Sequence, residues 1–275
     1  MSAPTGGIPP HKPMKHPLLS LAFSLLVFGT LAHPAAAQTI ENVDPGVPDN
    51  SFYADLPFET TIGGDLEQRA GFNYRTVEGF GPGRVYDFCA DYYVGTAYQG
   101  LIYNVETGLG SNFGASQNDA IGALFSNSIT GFDDLLNQYL AANGGSWDYN
   151  DELSDQYDAL QGYAAGMQIA LWEIIHDGTD NGLSIVQGPD GGDFRVDDIP
   201  TGSDPRAEAG YAKAEEFLAN IRNSTWTNTG GVNFYYAVPT TPGEQDRLWV
   251  TVVPEPSSAL LGAAGLLLVL RRRRA

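Results

Sequence analysis

The stretch "DQYDALQGYAAGMQIALWEIIHDG", Asp155 to Gly178, limits what this chain can fold into more than any other. With residues placed about 100° apart around a helix, Leu160, Tyr163, Ala164, Met167, Ala170, Leu171, Ile174 and Ile175 fall in one broad apolar arc. The opposite face carries Gly162, Ala165, Gly166 and Ile169, so little of the surface is polar. A helix that is apolar nearly all round has to be buried, and its small residues let a second backbone come close. Gln168 sits at the edge of the arc, with Trp172 one turn on. A buried amide needs partners, and leaving one without them costs about 1 to 3 kcal/mol.

The elements around this helix point to an α+β fold of antiparallel strands enclosing a central helix. Alternating, aromatic-rich segments at "GFNYRTV", "VYDFCADYYV", "GLIYNV", "VNFYYAV" and "RLWVTVV" read as strands. Two helices are expected at "SQNDAIGALFSN", with Ser116 and Asp119 near capping-box spacing, and at "FDDLLNQYLAANGG", which ends in an Asn-Gly-Gly stop. The buried helix runs from Asp155 to about His176, and a fourth follows Asp204-Pro205, a cap and first turn. Strands, then helices, then strands argue for α+β rather than a parallel sheet.

No linker-like break divides residues 38–253, which therefore read as one domain. This region holds eight Lys and Arg against thirty-two Asp and Glu, a net charge of −24. Such a surface repels nucleic acid and anionic lipid. Asp and Gly cluster in "HDGTDNGLSIVQGPDGGDFRVDD", but an EF-hand register counted from Asp177 meets Gly188 where the loop needs Glu. The stretch reads as an acidic, solvated loop, with a bound Ca2+ as the other reading.

Both ends carry transport signals. Lys12 and Lys15 precede the apolar run Pro17 to Ala32 and then "HPAAAQ", the layout of a signal peptide over residues 1–37, cut after Ala37. At the other end, "VPEPSSALLGAAGLLLVLRRRRA" passes from Pro254, Glu255 and Pro256 through a short apolar helix into Arg271, Arg272, Arg273 and Arg274. Thirteen helical residues, Ser258 to Leu270, reach only about 20 Å against roughly 30 Å of hydrocarbon, a short membrane span with its arginines held in the cytoplasm. This order of motif, helix and basic tail over residues 254–275 resembles the PEP-CTERM sorting signal of Gram-negative bacteria. The resemblance implies that an exosortase-type membrane enzyme cuts near the motif and delivers the protein to the cell surface or extracellular matrix.

Cys89, the chain's sole cysteine, lies on a predicted strand. It reads as a small buried hydrophobe, as half of an intermolecular disulfide, or as a reactive thiol. A thiolate beside a glutamine amide can displace ammonia and leave an internal thioester, an activated acyl group. "DFCADYY" and "MQIALWEI" together resemble the two halves of the bacterial thioester domain of surface adhesins, an aromatic-Cys-x-Asp segment and a Thr-Gln-x-Ala-x-Trp helix. The resemblance implies Cys89 as the thioester sulfur and Gln168 as the acyl carbon, with Asp91, Ala170 and Trp172 in the surrounding pattern. Met167 stands where the family carries threonine, a departure that bears on reactivity more than on fold.

Common enzyme signatures are absent from the sequence. His176 is the one histidine in residues 38–253, which removes multi-histidine metal sites. It lies eight residues beyond Gln168, about 12 Å along a helix and out of reach of that amide. There is no G-x-S-x-G elbow and no phosphate-binding glycine loop. Two non-enzymatic readings follow. The first is a covalent adhesin that acts through Cys89 and Gln168 on a surface amine. The second is a non-covalent biofilm or exopolysaccharide matrix protein that binds glycans through some of its 14 tyrosines and its tryptophans.

Overall fold

The computed structural model describes residues 39–44, 50–60, 66–78, 80, 83–91, 101–145, 155–180, 182–185, 194–196 and 204–253. The signal peptide expected over 1–37 lies outside the described residues, as does the sorting segment 254–275 with Pro254, Glu255, Pro256 and Arg271 to Arg274. The described residues all fall in one unit, Ala35–Ala275.

Five strands precede the first helix: β1 (Thr39–Val43), β2 (Asn50–Thr60), β3 (Leu66–Arg75), β4 (Val85–Cys89) and β5 (Tyr103–Thr107). Helices α1 (Ala115–Ala142) and α2 (Asp155–Asp177), strand β6 (Phe194–Val196), helix α3 (Pro205–Arg222), and strands β7 (Val232–Pro239) and β8 (Arg247–Val252) complete the order. The strands form a sheet in the order β1-β5-β7-β8-β4-β3-β2-β6, with antiparallel neighbours throughout. The fold is therefore α+β, as the element order implied.

Alternation along the strands gives the sheet two dry faces. On one, Phe72 of β3, Tyr86 and Phe88 of β4 and Leu248 and Val250 of β8 join the helices in the main core. Phe72 lies 4.4 Å from Phe88 and 4.8 Å from Phe132 of α1, and Phe88 lies 4.6 Å from Phe125, so α1 is pinned to the sheet by aromatic contacts. On the other face, Val85, Tyr103, Val105, Ala237 and Trp249 pack under Val77 and Phe80.

Helix α2 is enclosed as its sequence requires, with every residue from Ala164 to Ile174 buried. It lies against β2 and β3 and is flanked by α1 and α3. The small residues serve the contact with α3: a Cβ on Gly166 would stand 2.6 Å from the Lys213 Cβ and 3.1 Å from the Gly210 carbonyl oxygen. A Cβ on Gly162 would meet the Ala209 Cβ at 2.5 Å.

Four expectations change, three of them at α1 and β4. The two segments read as separate helices are one, α1, because Gly131 does not interrupt it: the space a side chain would fill there is taken by the Tyr163 hydroxyl, which would be 2.5 Å from a Cβ. Its start is capped at Gly114, whose N–H donates to Gln117 Oε1 at 2.9 Å, and not at Ser116 and Asp119. The predicted strand around Cys89 ends at that residue, and 92–100 lie outside the described residues.

The acidic stretch after α2 is not wholly a solvated loop. Phe194–Val196 pairs with β2, and Leu183 and Ile185 are buried. Acids of the flanking helices satisfy its backbone donors: Glu173 Oε1 of α2 accepts from Ser184 N at 2.9 Å, Asp177 of α2 from Phe194 N at 3.0 Å, and Glu215 Oε1, in the segment 205–222 that forms α3, from Ile185 N at 3.0 Å. Among the described residues no group of three or more His, Cys, Asp and Glu is placed to hold a metal ion.

Burial, and then the neighbouring Asp177 carboxylate, push the Glu173 carboxyl up to about 9. The folded protein thus keeps a proton that the unfolded chain releases near 4.5. Stability is fully present below that range and falls as pH rises toward 9, by up to about 1.4 kcal/mol per pH unit. Glu173→Gln should match the wild type near pH 5 and exceed it at pH 8 in urea midpoint; an equal decline in both proteins would refute the assignment.

Candidate functional site

Strand β4 lies between β8 and β3, and its last residue is Cys89. Backbone groups of successive strand residues point alternately to the two neighbours. The Ala90 N–H donates to the Asp246 carbonyl on the β8 side at 3.0 Å, so the N–H and C=O of Cys89 point toward β3. The β3 register, however, stops at Phe72 opposite Phe88. Gln168 of α2 takes the next place. The Cys89 N–H donates to Gln168 Oε1 at 2.9 Å, and Gln168 Nε2 donates to the Cys89 carbonyl at 2.9 Å. One side-chain amide thereby supplies the donor and the acceptor of a missing strand rung, which satisfies a glutamine that is fully buried.

The sulfur has its own surroundings. In the β4–β8 register Cys89 lies opposite Arg247, and Arg247 Nη1 approaches Cys89 Sγ at 3.2 Å. The same nitrogen is 3.6 Å from Asp87 Oδ1. Asp87 also takes a hydrogen bond from Arg75 Nη2 and one from Trp249 Nε1 at 3.1 Å. Arg75, Asp87, Arg247 and Trp249 are all buried, while Cys89 itself keeps part of its surface exposed. Burial pushes the Cys89 thiol up, Arg247 pulls it back down, and Asp87 adds to the upward push.

An acidic margin adjoins the pair. Asp91, two residues past Cys89, accepts a hydrogen bond from Gln245 Nε2 through its carbonyl. Tyr236 donates its hydroxyl to Asp246 Oδ2 at 2.7 Å, and burial, reinforced by Asp91, raises the Asp246 carboxyl. His176 stacks on Phe194 with ring centres 6.3 Å apart, and burial lowers its pKa while Asp91 opposes the shift.

The fold therefore brings Cys89 and Gln168 together across 79 residues. Asp91 lies beside them. Met167, Ala170 and Trp172 are fully buried in α2, and Trp172 packs on Phe194 at 6.2 Å, so these three serve the core around the helix. Sequence reasoning missed Arg247, Asp87, Arg75 and Gln245. A signal was present: "VYDFC" and "RLWVTV" each place one charge, of opposite sign, on an otherwise apolar alternation.

Comparison with protein-family models, with curated proteins and with solved structures finds no match to this chain.

The rung implies a stability cost when the amide is removed. Gln168→Met keeps the volume but strips both partners from the Cys89 backbone, and should destabilise the protein by about 1 to 3 kcal/mol. Urea denaturation measures the loss, and hydrogen exchange of the Cys89 amide should accelerate in step; an unchanged exchange rate would show that another group holds that rung.

Proposed function

We propose that this is an exported surface protein that links itself covalently to a partner through an internal thioester between Cys89 and Gln168. The observation that carries the reading is the two-point pairing of the Gln168 amide with the Cys89 backbone. It holds the side-chain carbonyl beside the residue that bears the nucleophile, with a backbone N–H already on the carbonyl oxygen. Attack by sulfur moves negative charge onto that oxygen, where a fixed donor is most effective. The resemblance of "DFCADYY" and "MQIALWEI" to the thioester domain of surface adhesins supports the same reading.

Intact mass tests it. The purified exported protein should be lighter than its sequence by one ammonia, and a small primary amine should add its whole mass at Gln168. The full sequence mass with a freely titratable Cys89 would exclude the thioester.

For delivery, we read the Pro254-Glu255-Pro256 segment with its apolar run and Arg271 to Arg274 as a sorting signal for an exosortase-type enzyme. Replacing the three motif residues with alanine should leave the protein uncleaved in the inner membrane, visible as a larger membrane-bound band; normal release would refute the assignment.

A cleft of about 610 Å³ favours the second reading, a non-covalent glycan-binding matrix protein. Its lining includes Trp226 with Asp119, Ser116, Thr179, Asn228 and Arg222, an aromatic surface among hydrogen-bonding groups of the kind that suits a sugar. The mass measurement separates the two readings.

A further inference from the structure

The geometry points to Arg247 as the group that controls the reactivity of Cys89, stabilising the thiolate of its sulfur both when the thioester forms and when a partner opens it. This role rests on the thioester reading and adds to it the residue that governs the chemistry.

Three observations support it. Arg247 Nη1 lies 3.2 Å from Sγ, within reach of a hydrogen bond to sulfur. The guanidinium is buried, so its field at the sulfur is weakly screened and a thiolate there would accept a charge-assisted bond. Its position is set twice over: by its place opposite Cys89 in the β4–β8 register, and by Asp87, which Arg75 and Trp249 hold in turn. A flexible surface cation would lack that orientation.

The chemistry balances without an oxidant or a reductant. On formation, the Cys89 thiol gives up its proton and the thiolate attacks the Gln168 amide carbon. The C–S bond forms, the bond to Nε2 breaks, and the nitrogen leaves as ammonia with the proton the thiol released. The Cys89 N–H on Oε1 stabilises the charge on oxygen during attack. On opening, the partner's amine nitrogen bonds to the same carbon and the C–S bond breaks. The sulfur departs as a thiolate facing Arg247, then takes the proton lost by the amine. A cation at the sulfur helps both steps, because it stabilises the nucleophile in one and the leaving group in the other.

The test uses the full chain. In a Gln168→Met background, where no thioester can form, the rate of Cys89 alkylation by iodoacetamide is followed against pH. Adding Arg247→Met should move the midpoint up by about one unit or more, as expected on losing an opposite charge at this range. Adding Asp87→Asn should move it down, because the carboxylate opposes the thiolate. Opposite shifts distinguish an electrostatic role from a packing role, since disrupted packing would not reverse its sign between two members of one cluster. Should Arg247→Met fail to fold, Arg247→Lys keeps the charge while losing the fork, and should give a smaller upward shift. With Gln168 intact, Arg247→Met should slow the loss of ammonia and the uptake of methylamine about tenfold or more, the rate equivalent of that shift.

If wild-type protein shows the mass deficit while Arg247→Met forms and opens the thioester at the same rate with an unmoved alkylation profile, the role of Arg247 is overturned. If the wild type shows no deficit but the alkylation profile shifts as stated, the thioester reading fails and the control of the thiol by Arg247 stands.

Discussion

The structure depends on burying helix α2 without stranding the polar groups it carries. From Ala164 to Ile174 no residue reaches solvent, yet this span includes Gln168 and is followed closely by Asp177. The apolar side chains supply the drive for enclosure, and the glycines let α3 approach until backbone and Cβ atoms touch. The polar groups then dictate what must lie around the helix. Gln168 requires a strand end with open backbone groups, and Glu173 and Asp177 require backbone donors, which Ser184 and Phe194 provide. The loop after α2 and the short strand β6 are thus held against the helix by the polar groups the helix carries.

The same economy shapes the candidate site. A glutamine that mimics a strand rung is a structural solution for a buried amide, and it also fixes a carbonyl beside a cysteine. Structure and proposed chemistry therefore draw on the same two hydrogen bonds. Arg247 shows a similar overlap. Its ion pair with Asp87 is part of a buried network, and a buried pair of this kind is poor evidence of stability, because the desolvation cost offsets much of the attraction. Placing a guanidinium against sulfur gives the network a use that stability alone does not explain.

Much of the fold was legible in sequence where the signal is local. The caps of α3 at Asp204 and Pro205, the Asn143-Gly144-Gly145 stop of α1, and the strand alternation in β7 and β8 follow from short-range rules. Errors arose where tertiary contact overrides local preference. The two segments read as separate helices run together through Gly131, a packing notch for Tyr163, and the Asp-rich stretch looked solvated although acids of α2 and α3 accept from its backbone donors. Strand β6 is three residues long and gains its form only by pairing with β2.

By itself the sequence determined that one helix must be enclosed on all sides, that it carries a glutamine needing partners, and that a lone cysteine sits on a strand elsewhere. Each follows from periodicity and composition within a short window. Only the tertiary structure decided that the glutamine completes the rung at that cysteine, and that Arg247, 158 residues away in sequence, faces its sulfur. Those placements depend on where the β3–β4 register stops and on which residue of β8 lies opposite Cys89, and strand register is a property of paired chains that no single segment encodes.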